Sequence, residues 1–259
     1  MTNYYVMSKL KIALTATLLM FFTVGINAQV KKTVTKKPAT TKKTVPVKKK
    51  VKPTANAPKQ VRVPGVRIKL TTDSGVIVLR LYDKTPKHRD NFVKLVEQHF
   101  FDSLLFHRVI PGFMIQGGDP LSKNAAPGIM LGNGDVGYTI PAEFDTTLFH
   151  KKGVLAAARQ PDNVNPAKAS SGCQFYIVHG KTWTDADLNM FEMQKGIKFS
   201  TEKRNIYKTI GGAPFLDMDY TVFGEVESGF EVIDKIALAN RDGNNRPFGD
   251  IHMFAEVIK

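Results

Sequence analysis

Phe106 to Pro120 reads FHRVIPGFMIQGGDP, two short apolar stretches on either side of Pro111-Gly112. Proline presets φ and glycine accepts a positive one, as a type II turn demands, so the stretch predicts a tight hairpin. One permanent cation, Arg108, stands amid Phe106, Val109, Ile110, Phe113, Met114 and Ile115, with Gln116 as a second strong donor. A guanidinium is not buried unpaired, because stripping its water costs several kcal/mol. Arg108 is therefore either paired in a core or displayed in a cleft with apolar walls, and the cleft is the reading adopted.

The chain has 259 residues and a net charge of +14, which on its face suggests a nucleic-acid binder. The charge is local. Residues 1–72 hold 16 Lys+Arg and no acid, whereas residues 73–259 hold 21 Lys+Arg against all 23 Asp+Glu, a net of −2. A nearly neutral body removes most of the case for a nucleic-acid groove in the folded part, leaving binding through the Lys tract as the least favoured alternative. The single cysteine, Cys173, permits no intrachain disulfide and reads as a small buried hydrophobe.

Upstream, Lys9 and Lys11 precede an apolar run from Ile12 to Ile26 that ends at Asn27-Ala28. A basic start, a short apolar core and a small closing residue predict a secretory signal over 1–28, with Met7 as an alternative start. The run falls short of the ~20 residues of a usual membrane span, and a retained N-terminal anchor is the alternative. Residues 29–64, rich in Lys, Thr, Val and Pro, predict a solvated, extended tether. The chain is thus expected to be exported, to a periplasm or cell envelope, where the tail would meet an anionic surface.

Downstream of the tail, VRIKLTT and VIVLRLY alternate about Asp73-Ser74-Gly75 and predict a hairpin. TPKHRDNFVKLVEQHF predicts a helix with Thr85 as N-cap and Pro86 at its first position, its apolar stripe being Phe92, Leu95 and Val96. His88 and His99 are expected at the surface and His107 in the core, and no spacing among the histidines suggests a metal site. Gly128, Gly132, Gly134 and Gly137 lack the Gly-Lys-Ser/Thr ending of a phosphate cradle.

GVLAAAR (153–159), CQFYIVH (173–179), TVFGEV (221–226) and HMFAEVI (252–258) read as further strands, and 229–239 as a helix. Between them, 181–213 reads as a helical interlude. Thr184 with Asp187 resembles a capping box, and Ser200 looks like a second N-cap, with Ile206 and Ile210 as the apolar side. Many short strands and few helices predict a mainly β fold, a barrel with helices over its ends.

The quoted stretch resembles the signature block of the cyclophilins, cyclosporin-binding peptidyl-prolyl cis-trans isomerases. GVLAAAR, SGCQFYI and TVFGEV follow in the family's order, so that 65–259 resembles one such domain with 181–213 as a helical insertion. The resemblance implies a closed eight-stranded antiparallel β-barrel capped by two α-helices. It implies a monomer without cofactor or metal that acts on proline-containing polypeptides. It further implies that Arg108 is catalytic and that Phe113, Met114, Gln116, Ala158, Arg159, Gln174, Tyr176, Phe215, Leu216 and Tyr220 bind substrate.

Three of these depart from the eukaryotic pattern. Arg159 stands for Asn and adds charge at the rim, Phe215 stands for the Trp linked to strong cyclosporin binding, and Tyr220 stands for His. Weak cyclosporin binding is expected. The interlude, leading straight into Phe215 and Leu216, is expected either to form an extra wall of the cleft or to be an outer decoration. The alternative function is a non-catalytic proline-peptide-binding or chaperone module tethered by the basic tail.

Overall fold

The structure, a computed structural model, describes residues 65–258. The signal expected over 1–28 and the tether expected over 29–64 lie outside the described residues. β1 (Arg67–Thr72) and β2 (Gly75–Leu81) form the first hairpin, and alternation sends Ile68, Leu70, Ile77 and Leu79 inward. α1 (Pro86–Glu97) lays Phe92, Leu95 and Val96 on the same core.

Thr85 makes no side-chain cap bond to α1; Glu143 supplies the cap from a distant loop. Its carboxylate accepts the N–H groups of Lys87 at 3.1 Å and His88 at 3.0 Å, where a negative charge also suits the helix dipole. This is why His88, expected at the surface, is buried. Its Nδ1 meets Glu143 Oε2 at 2.7 Å and its Nε2 meets Ser170 Oγ at 2.9 Å.

β3 (Leu104–Leu105), β4 (Arg108–Ile110) and β5 (Met114–Gly117) come next, followed by β6 (Thr139–Ile140), β7 (Val154–Ala157), β8 (Ser170–Ser171) and β9 (Phe175–Val178). α2 (Asp185–Lys195), α3 (Thr201–Thr209), β10 (Val222–Ser228), α4 (Phe230–Ala237) and β11 (His252–Ile258) complete the described chain. Nine strands form one curled antiparallel sheet in the order β3-β11-β1-β2-β10-β7-β9-β5-β4, and β6 pairs β8 apart from it.

Among the described residues the closed eight-stranded barrel with two helices therefore gives way to a half-barrel of nine strands with four helices. The two edge strands, of two and three residues, do not pair with each other. The chain itself crosses between them at Phe106-His107, and β4 instead takes a bond from Val109 N–H to the Asn245 carbonyl at 2.9 Å.

Register then divides the sheet into two faces. Ile115, Ile177 and Leu155 pack with Phe92, Phe101, Phe175 and Phe223 in the main core beneath α1 and α4. Met114, Ala156, Tyr176 and Val222 occupy the opposite face in a second cluster. A third cluster is built by the interlude. The capping box forms, with Asp187 N–H donating to Thr184 Oγ1 at 3.2 Å and Thr184 N–H to Asp187 Oδ2 at 3.0 Å. Ser200 caps α3 through Lys203 N–H at 3.2 Å. The buried residue of α3 is Tyr207, while Ile210, expected inside, is exposed because Leu188, Phe191 and Phe199 meet the Tyr207 side of the helix.

His107, at the crossing between the sheet edges, is buried, and neither ring nitrogen has a protein hydrogen-bond partner among the described residues. Burial pushes its pKa from 6.5 down to about 4, with the Asp119 charge opposing. The fold thus favours the neutral ring, so its contribution is complete above pH 6.5 and is lost as pH falls toward 4. We expect about 3 kcal/mol of stability to disappear over that interval through this residue alone. Urea denaturation at the two ends of the range should show a correspondingly smaller loss in His107→Leu.

Candidate active site

The β4–β5 hairpin sets the site. Phe113 N–H closes the turn onto the Ile110 carbonyl at 3.0 Å, and Gly112 sits at φ +72°, as the Pro-Gly pair predicts. Pairing then places Arg108 directly opposite Gln116, and Gln116 opposite Tyr176 on β9, so the three side chains share one face. Phe113 belongs to the turn and precedes β5, which frees it from the alternation that would point it away from Met114 and Gln116. Its carbonyl accepts two further N–H groups, those of His179 and Gly180, each at 3.0 Å.

These side chains line a cavity of about 180 Å³ with Ala158, Arg159, Leu216 and Tyr220. Arg108 is half-buried at its side. Among the described residues no carboxylate pairs with it, and burial lowers its pKa, with Tyr220 opposing. Its partner is neutral. Arg108 Nη1 donates to Gln116 Oε1 at 3.1 Å, Gln116 Nε2 donates to Gln174 Oε1 at 3.0 Å, and Gln174 Nε2 donates to the carbonyls of Gly132 at 2.9 Å and Gly134 at 2.7 Å. The glycine-rich loop thus ends a chain of amides that aims the guanidinium. Arg246 holds that loop from behind, donating to the carbonyls of Ala126 and Ile129 at 2.9 Å each.

Residues 67–256 match the family model of cyclophilin type peptidyl-prolyl cis-trans isomerase/CLD. The chain belongs to this family.

Among relatives, a Streptococcus pyogenes serotype M6 protein named for a bifunctional phosphatase/peptidyl-prolyl cis-trans isomerase is 33% identical over 190 residues, 72% of this chain and 37% of that protein. The chain thus spans little more than a third of that relative. A Staphylococcus aureus protein named for a peptidyl-prolyl cis-trans isomerase is 30% identical over 194 residues, 74% of this chain and 91% of that one. The crystal structure of a Cryptosporidium parvum cyclophilin superposes with a TM-score of 0.54 at 20% identity, covering 75% of this chain and 98% of that one. A second structure of it, in the presence of the dipeptide Ala-Pro, gives 0.52.

Within this cyclophilin, nine of the eleven residues singled out from sequence line the smaller cavity: Arg108, Phe113, Met114, Gln116, Ala158, Arg159, Tyr176, Leu216 and Tyr220. Gln174 lines an adjoining cavity of about 720 Å³ that shares Gln116, Ala158 and Arg159 with the first. Phe215 stands behind the wall, its ring 5.4 Å from that of Phe113 and in contact with Trp183 and Phe191. The interlude contributes no lining residue to either cavity, and so backs the site where an extra wall was expected.

The rim charge also differs from expectation. The Arg159 guanidinium is tied down, donating to the Asp219 carbonyl at 2.6 Å, pairing with Asp162 at 2.6 Å and lying 4.5 Å above the Tyr220 ring. The Asp219 carboxylate in turn takes Lys195 of α2 on one oxygen and Lys168 on the other. No sequence pattern links Lys168, Lys195 and Asp219, because three separate segments meet there. Ala158 has its N–H and carbonyl occupied by Gln174 and Ser171, which passes the candidate backbone contact to Arg159.

Removing the middle of the amide chain should misaim the cation while leaving it charged. We expect Gln174→Leu to lower kcat for a prolyl peptide about tenfold with little change in far-UV circular dichroism, about 1.4 kcal/mol of lost alignment.

Proposed function

We propose that this cyclophilin accelerates X–Pro isomerisation in unfolded or partly folded exported proteins, with Arg108 as its catalytic group. Resonance gives the peptide bond a barrier of ~18–20 kcal/mol, so an X–Pro bond flips in tens of seconds or longer. Nothing is cleaved; the site has only to favour the twisted amide over either planar form. As the amide twists, the proline nitrogen regains a lone pair and becomes an acceptor. Among the described residues Arg108 commits one N–H to Gln116 and has others free to donate, and a guanidinium keeps its proton at any working pH.

The observation that carries this reading is a half-buried guanidinium that pairs with no carboxylate among the described residues, beside a hollow of about 180 Å³ walled by Phe113, Met114, Leu216 and the Tyr176 ring. The hollow suits a proline ring, which it holds still while the acyl side rotates. A charge-assisted hydrogen bond that strengthens as the amide twists is worth about 1.5–3 kcal/mol, one to two powers of ten in rate. The presence of Ala-Pro with the Cryptosporidium relative supports a proline-containing ligand. Gln116 and the Arg159 backbone are positioned for the neighbouring peptide, and the larger cavity for a residue further along the chain. Phe215 offers no indole N–H, which supports weak cyclosporin binding.

Export rests on residues 1–28, and the Lys-rich 29–64 suit an anionic envelope surface. Amino-terminal sequencing of the protein recovered from a secreting host should start at Gln29; a start at Met1 or Met7 would mark the segment as a retained anchor. For the chemistry, exchange NMR on an Ala-Pro peptide should show Arg108→Ala losing at least about nine-tenths of turnover with its spectrum otherwise native. Full activity in that variant overturns the catalytic role. Wild-type binding without enhanced exchange would leave a docking module in its place.

A further inference from the structure

Behind the pocket runs a second polar chain, unconnected to Arg108. The Tyr207 hydroxyl on α3 meets Asp217 Oδ2 at 2.8 Å. The other oxygen of Asp217 meets His150 Nδ1 at 2.9 Å, and His150 Nε2 meets the Tyr176 hydroxyl at 3.0 Å. All four residues are buried. A carboxylate only accepts, so Nδ1 carries a proton; in the neutral ring Nε2 is then the acceptor and Tyr176 the donor. Every member is then satisfied, and the donors of both arms, Tyr207 on one side and Tyr176 through His150 on the other, converge on the Asp217 carboxylate.

The same residues tie down the turn that carries Leu216. His150 N–H donates to Asp217 Oδ1 at 2.9 Å, and Ala213 N–H donates to the His150 carbonyl at 2.8 Å. The ends of the segment 213–217 are therefore pinned to one histidine. Tyr176 and Leu216, on different elements, line the cavity side by side, and this chain is a polar connection common to both.

We propose that Tyr207, which does not touch the cavity, is a positioning residue for isomerisation: through Asp217 and His150 it fixes the Tyr176 ring and the Leu216 turn that hold the proline. The proposal rests on the pocket assigned above. A plain core would serve stability as well as this chain does, since a buried carboxylate and its donors commonly gain little over well-packed hydrophobes. What the polar chain adds is orientation. Burial raises the pKa values of both tyrosines, so both hydroxyls keep the proton that the chain requires.

Tyr207→Phe keeps the ring and removes the hydroxyl. We expect kcat/KM for a prolyl peptide to fall about fivefold, as one lost hydrogen bond would give. In a Tyr176→Phe background, where the chain keeps its hold on the Leu216 turn but loses the ring, the further loss should shrink to about twofold. An equal loss in both backgrounds, or none in either, overturns the proposal. Should Tyr207→Phe not fold, the wild type suffices: long-range ¹H–¹⁵N correlation should show His150 as the Nδ1–H tautomer, and the Nε2–H tautomer overturns the chain. An Arg108→Ala control separates the two readings. If it is inactive while Tyr207→Phe is unchanged, only this proposal fails; if it is fully active, the pocket assignment fails and takes the proposal with it.

Discussion

The structure depends on holding one cation half out of water without neutralising it. Arg108 stands beside apolar walls where a carboxylate partner would be the ordinary solution to desolvation. A carboxylate would also take up the N–H groups that the proposed mechanism offers to a proline nitrogen. The fold answers with a neutral partner, Gln116, directly opposite on the adjacent strand. An amide orients the guanidinium without quenching its charge, and Gln174 and the loop at Gly132–Gly134 orient the amide in turn. Electrostatics therefore dictates which residue types can stand next to the arginine, and strand register dictates where.

That register also explains why pocket and core do not compete. In β5, β7 and β9 alternate residues serve two different clusters, the main core under α1 and α4 and the smaller one around Tyr176. A one-residue slip would put Ile115 where Gln116 is needed and drive the amide into the aromatic core. The bulk of Ile115, Ile177 and Leu155 thus holds the polar side chains at the surface. Stability on one face specifies chemistry on the other.

Much of this was legible in the sequence, and the parts that were not share a cause. The Pro111-Gly112 turn, the alternation of β1 and β2 and the Thr184–Asp187 box are local, so residue types a few positions apart announce them. Barrel closure is not local. Strands of two or three residues, such as Leu104–Leu105, carry no readable period, and their pairing is decided by where the chain crosses at Phe106-His107. His88 was misread as a surface residue because its partners, Glu143 and Ser170, are 55 and 82 positions away. At the site, residue types suggested a cleft at Arg108 and Gln116, and both line the cavity. They did not foretell that the Arg159 side chain is bound up with Asp162, Asp219 and Tyr220, or that Phe215 stands behind the cavity.

Prolyl isomerisation asks little of an active site chemically, since no bond breaks and no proton moves. What it asks is that one half of an amide be held while the other turns, and holding is a matter of stiffness. Apolar packing alone is a poor source of stiffness in a half-open pocket, because a ring with a free edge retains rotational freedom. Aromatic contacts from Trp183 and Phe191 through Phe215 to Phe113 brace one side of the cavity. Directional bonds from Tyr207 through His150 brace the other. Both braces begin in the helical interlude at 181–213, which touches neither cavity. A segment that adds nothing to the lining can still govern the reaction, because rigidity, unlike contact, is transmitted through whatever stands behind the wall.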